Sequence, residues 1–180
     1  MSWEYSENTL VQESAGELLH DELGWDVIFA YNQETLGENG TLGRKSYNEV
    51  LLTRYLVKAL RRLNDWMSDA QIAEALQALD SRLSTETLLQ TNEKFYRMIR
   101  DGVDVTVKTP EGLTDTRKAI LIDFNDASNN DFLAVKEMKI HGPLHRRRTD
   151  IVGFVNGIPL LFVELKRNDV DVENAYNDNY

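Results

Sequence analysis

At Asp101-Gly102 the hydrophobic period of the chain changes, and that change limits the folds open to it. Before it, apolar residues recur every three to four positions. After it, Val103, Val105 and Val107 alternate with polar residues. The upstream spacing predicts helices over about 9–23, 46–63, 68–79 and 86–100. In the first, Val11, Ala15, Leu18, Leu19 and Glu22 fall on one stripe, Thr9 with Gln12 resembles a capping box, and Gly24 ends the helix. Residues 31–44 read as a loop. Downstream, strands are predicted over about 117–124, 132–140, 147–155 and 158–166. They are separated by Pro110-Glu111-Gly112, Ser128-Asn129-Asn130 and Asn156-Gly157. A last helix begins near Asp169. The expected class is therefore α+β, an α/β arrangement of N-terminal helices followed by a mixed sheet flanked by helices. One domain over 1–180 is expected, helical to about 101 and sheet-forming from about 102.

Several classes of function are disfavoured by what the chain lacks. It has no cysteine, so disulfides and thiolate metal sites are excluded. The only histidines are His20, His141 and His145, so a metal site would be built from carboxylates, which favours Mg²⁺ or Mn²⁺ over zinc. No apolar run is long enough for a membrane span and the acidic start is unlike an export signal, so a cytoplasmic location is expected. The net charge of −10 opposes nucleic-acid binding, but residues 131–167 carry seven bases against four acids. Weak, salt-sensitive DNA affinity is expected from this chain alone.

That positive segment contains RRRTDIVGFVNGIPLLFVELKR, residues 146–167. Ile158 to Val163 is almost wholly apolar, the pattern of a central strand covered on both faces. Glu164 and Lys166 follow at its end, on one side of the strand, and Asp150 arrives from the preceding strand through the Asn156-Gly157 turn. Two carboxylates and an ammonium suit phosphodiester hydrolysis. Asp150, Glu164 and the Leu165 backbone carbonyl would hold Mg²⁺, and Lys166 would orient a water. The competing reading is a Glu164–Lys166 salt bridge with Asp150 on the surface.

Register discriminates between faces. A two-residue turn pairs Val155 with Ile158 and sets Asp150 against Val163, which puts the carboxylates on opposite faces. One extra residue is therefore expected, either from a three-residue loop pairing Val155 with Pro159 or from a bulge between turn and site.

The chain resembles the N-terminal nuclease region of the R (restriction and translocation) subunit of type I restriction–modification enzymes. The phrases that carry the resemblance are GTLGRKSYNEVLL (40–52), ALRRLND (59–65), IRDGVDV (99–105), LIDFNDASNNDFLAVKEMKIHG (121–142) and RRTDIVGFVNGIPLLFVELKR (147–167). The resemblance implies a restriction-endonuclease-like PD-(D/E)xK core and Mg²⁺-dependent cleavage of double-stranded DNA at Asp150, Glu164 and Lys166. It also implies assembly with methylation and specificity subunits, and ATP hydrolysis confined to motor domains beyond this chain. Thr149 stands where the family usually has proline. Asp178 or its neighbours fall where the family has a glutamine on the next helix, and the chain stops about where a tyrosine would follow. Gly40 to Ser46, GTLGRKS, lacks phosphate-loop spacing, so no ATP site is expected here.

Weaker signals remain open. Glu13, Glu17 and His20 share a helix face, with Glu13 either an accessory metal ligand or part of a solvated face. Arg146, Arg147, Arg148 and Arg167 are candidate DNA contacts. The run 146–148 reads equally as charges guarding an edge strand. Lys136 and Lys139, three apart on one predicted strand, would point to opposite faces. Two other functions compete: a docking or DNA-guiding module with a vestigial site, and a stand-alone nuclease of the same fold.

Overall fold

A computed structural model describes residues 7–80, 87–142 and 145–165, with side chains from Gln12 onward. It is an α+β protein of four helices, α1 Glu7–Asp21, α2 Thr53–Leu63, α3 Asp69–Ala78 and α4 Leu88–Asp101, and eight strands among the described residues. The strands are β1 Asp26–Phe29, β2 Val103–Lys108, β3 Thr114–Ala119, β4 Phe132–Lys136, β5 Lys139–His141, β6 Arg146–Arg148, β7 Ile151–Val155 and β8 Ile158–Val163. The described residues fall into two compact units, one within Met1–Leu52 and Phe132–Tyr180, the other within Thr53–Asp131.

In the Thr53–Asp131 unit, β2 and β3 form an antiparallel hairpin running from Val103↔Ala119 to Lys108↔Thr114. The predicted alternation holds, with Val103 and Val105 buried. Helix α2 ends at the buried Asn64, whose side chain accepts from Ile120 N–H at 2.7 Å and donates to Ile120 O at 2.8 Å. The residue that follows the helix is thus also a tether. Helix α4 starts at Thr87, whose N–H donates to Gln90 Oε1 at 3.0 Å, and stops at Gly102 at φ 90°. Strand 117–124 is shorter and earlier than predicted, because β3 closes against β2 at Ala119.

The other unit holds a four-stranded mixed sheet in the order β1-β4-β7-β8. Strand β1, not predicted, runs parallel to β4, and β7 runs antiparallel to both β4 and β8. Four residues, Asp26 to Phe29, are too few to show a period, and their partners lie more than a hundred residues later. Strand β7 is buried through Phe154. Gly153 is fixed there by packing: a Cβ would sit 2.8 Å from the Trp25 ring and 2.9 Å from Leu161 Cβ. Trp25 stacks obliquely on Phe132, ring centroids 5.3 Å apart.

Two predicted elements change form. The second helix begins at Thr53 rather than at 46, because residues 45–52 commit their polar groups elsewhere. Tyr47 O accepts from His141 N–H, Glu49 O accepts from Arg44 Nη1, and Leu52 N–H donates to Gly157 O. Arg44 itself is 1% exposed, chelates Glu34 through Nε and Nη2, and donates to Lys139 O at 2.7 Å. The GTLGRKS stretch is therefore a structural clamp around Arg44.

The predicted strands 132–140 and 147–155 are each broken in two, at one shared kink. Glu137 takes φ 57° and interrupts β4 from β5, while Thr149 and Asp150 interrupt β6 from β7. The pairing survives the break. Lys136 opposes Ile151 on one side and Lys139 opposes Arg148 on the other, in one unbroken count. Glu137 N–H donates to Asp150 O at 2.9 Å and Thr149 N–H donates to Met138 O at 3.0 Å across the kink. Lys136 lies over the Phe29 ring and Lys139 donates to Asn32.

Candidate functional site

Asp150 sits at that kink, half-buried, with Glu164 directly after the end of β8. The turn between β7 and β8 is the two-residue form, Asn156 at φ 52° and Gly157 at φ 83°, both in the left-handed region that a type I′ turn needs. Val155 pairs with Ile158 and Phe154 with Pro159. The three-residue loop is thus not used. Between Gly153 and Phe154 the register shifts, so that Gly153 pairs with Leu161, Val152 with Phe162 and Ile151 with Val163. Leu160 is the extra residue, and the hairpin takes the bulge instead of the longer loop. Asn-Gly suits the two positive φ angles of the turn, and next to the bulge Leu161 Cβ packs closely where a side chain on Gly153 would stand. Continuing the pairing by one position sets Asp150 opposite Glu164, the relation that places two side chains on one face.

Strand β8 departs from the predicted central strand. It closes the sheet order among the described residues, and Leu160, Leu161 and Phe162 are 48%, 39% and 57% exposed. The strand buried on both faces is β7. A continuous apolar run marked both, and only the pairing order separates them.

Asp150 is held from two directions. Leu165 N–H donates to Oδ2 at 2.7 Å, and Gln12 Nε2–H donates to Oδ1 at 3.0 Å from helix α1. Gln12 was assigned a local capping role from the sequence, but α1 starts at Glu7, so Thr9 lies inside the helix and Gln12 is turned inward instead. From Gln12 onward the buried residues of α1 are Gln12 and Gly16, while Leu18 of the predicted apolar stripe is 59% exposed. Gly16 permits this, because its Cα faces the Lys136 side chain, where a Cβ would lie 3.2 Å from Cδ. Only a long-range pairing could have revealed Gln12: it lies 138 residues from Asp150.

The other predicted residues are placed as follows. Glu13 and Glu17 are exposed, and His20 Nδ1 lies 3.0 Å from Trp25 O. Arg146, Arg147 and Arg148 form the exposed strand β6. Arg148 Nε is 2.8 Å from Glu137 Oε2, and its guanidinium covers the Tyr31 ring at 4.7 Å. His141 stacks on Tyr47, centroids 4.9 Å apart, and His145 is exposed. Lys166, Arg167 and Asp178 lie outside the described residues, as does the helix predicted from Asp169.

The family described as the type I restriction enzyme R protein N terminus matches residues 4–180. The chain belongs to this family. It is 31% identical over 159 residues to the type I restriction enzyme HindI endonuclease subunit of Haemophilus influenzae, covering 86% of this chain and 15% of that protein. It is 28% identical over 140 residues to a Methanocaldococcus jannaschii protein provisionally named the type I restriction enzyme MjaIXP endonuclease subunit, covering 75% of this chain and 13% of that one. The chain thus corresponds to a small part of the length of these relatives. Within this type I R-protein N-terminal chain, Thr149 occupies the place at which proline was expected. It is 4% exposed, and both its N–H and its hydroxyl reach Met138 O, at 3.0 and 3.3 Å. Hydrogen bonds hold the residue before Asp150 where a proline ring would stiffen it. No helix among the described residues is long and apolar enough to cross a membrane.

Proposed function

We propose that this chain is the metal-dependent nuclease domain of a type I restriction enzyme R subunit, with a restriction-endonuclease-like PD-(D/E)xK core that hydrolyses double-stranded DNA. The observation that carries this reading is the Leu160 bulge: the register it sets, continued by one position beyond Ile151 and Val163, would bring Asp150 opposite Glu164. Family membership supports it, since the relatives named above are endonuclease subunits.

The donor set fits Mg²⁺ or Mn²⁺. Asp150 and Glu164 offer hard oxygens, and the Leu165 carbonyl is a further candidate. Among the described residues each Asp150 oxygen accepts one hydrogen bond, and a carboxylate oxygen can accept a second interaction. Among the described residues no cluster of three or more His, Asp or Glu side chains could hold an ion, so water would complete the shell, as Mg²⁺ prefers. Bound there, the ion supplies an acidified water and offsets charge on the phosphate. Asp150 and Glu164 fix where that ion and water stand. Lys166 orients the water and stabilises the negative charge that develops. Arg146, Arg147, Arg148 and Arg167 contribute contacts to the DNA phosphate backbone. The methylation and specificity subunits of the complex supply the target sequence, and its motor domains hydrolyse ATP.

The test is plasmid cleavage by the assembled enzyme with Mg²⁺, comparing wild type with Lys166→Ala. Cleavage lost in the variant supports the reading, and cleavage at the wild-type rate refutes it.

A further inference from the structure

Gln12 is the only polar residue of the described part of α1 that is buried, at 8% exposure, while Glu13, Glu17 and His20 face solvent. A buried amide is costly unless its hydrogen bonds are made. Its partner is a carboxylate that, when ionised, only accepts, so the amide must present Nε2–H and not its carbonyl. Leu165 N–H takes the other oxygen from β8's extension. One donor per oxygen, from two separate elements, fixes both the position and the plane of the Asp150 carboxylate.

The residue type is informative. An arginine or lysine at position 12 would neutralise Asp150 and compete with any cation. A glutamate would set a third negative charge against it. A neutral donor such as glutamine holds the carboxylate while leaving its charge undiminished.

We propose that Gln12 is a positioning residue, which aims the remaining lone pairs of Asp150 at a divalent cation. This rests on the metal reading above. Partners of metal-ligating groups typically govern affinity by 10–100-fold when removed.

The test is direct Mn²⁺ binding by this chain, read from the electron paramagnetic resonance signal of free Mn²⁺. Wild type, Gln12→Ala, Gln12→Met and Glu164→Ala are compared, with circular dichroism confirming folding. Methionine matches the length and volume of glutamine but cannot donate. Gln12→Met is expected to weaken Mn²⁺ binding about tenfold or more, as Gln12→Ala does. Wild-type affinity in Gln12→Met would overturn the proposal, since filling space would then suffice, and it decides the matter alone if Gln12→Ala unfolds. Wild type that takes up no Mn²⁺, or Glu164→Ala that binds like wild type, overturns the metal reading and this role with it. The Glu164 control therefore separates failure of the site from failure of Gln12.

Discussion

Leu165 donates its backbone N–H to Asp150 Oδ2 at 2.7 Å, so the residue between Glu164 and Lys166 is bonded to the carboxylate on the facing strand. The chain directly after Glu164 is thereby tied to Asp150 through one main-chain contact. Asp150→Ala and Glu164→Ala are each expected to reduce DNA cleavage below detection while leaving ATP-driven translocation by the assembled enzyme intact. A plasmid cleavage assay run beside an ATPase assay checks both halves.

The bulge predicts how the hairpin responds to shortening. Deleting Leu160 removes the unpaired residue and leaves every pair, including Asp150 against Glu164, in place. That protein is expected to fold and to cleave. Deleting Leu160 and Leu161 together shifts the pairing by one and turns Glu164 to the other face. Cleavage should then be lost although the chain folds. Loss of activity in the folded single-deletion protein would contradict this register.

Gly153→Ala should destabilise the fold by about 1–3 kcal/mol, the usual cost of overpacking. The added methyl meets the Trp25 ring and Leu161 Cβ inside 3 Å, so the ring or the facing strand must shift to admit it. Urea denaturation followed by tryptophan fluorescence reports the change.

Arg44→Ala is expected to cost about 3–5 kcal/mol, because Glu34 would be left charged and unpaired at 3% side-chain exposure. The double variant Arg44→Met with Glu34→Leu should recover much of that loss. Thermal melts of the two proteins distinguish a charge penalty from a packing defect.

The Asp123 carboxyl is held below its ordinary range by the Asn129 side-chain amide, then by the backbone N–H groups of Asp126 and Asn125. A depressed folded value means that these bonds stabilise the loop above the ordinary carboxylate range. The contribution is lost as pH falls through the depressed folded value. Asn129→Ala should move the Asp123 titration, followed by carboxyl NMR, back towards higher pH.

The sequence reading succeeded where local patterns suffice. Val103 and Val105 announced β2 by alternation, Asp101-Gly102 marked the end of α4, and Asn156-Gly157 makes the hairpin turn. It failed where distant partners decide. Residues 45–52 had helical spacing but gave their backbone groups to Arg44, His141 and Gly157. The kink at Glu137 has no local marker, since glutamate rarely adopts positive φ. The extra residue in the β7–β8 hairpin was anticipated from pairing arithmetic alone, although the arithmetic could not say whether loop or bulge would supply it. Gln12 carried no signal at all, because its partner lies on another element.

The hairpin also imposes a parity rule. Across a regular two-residue turn, opposed residues are always separated by an odd number of positions, yet Asp150 and Glu164 are separated by an even one. An even separation demands an odd number of unpaired residues. In any related sequence that keeps this turn, counting from the aspartate to the glutamate therefore tells whether the strand between them must bulge, before any coordinates are known.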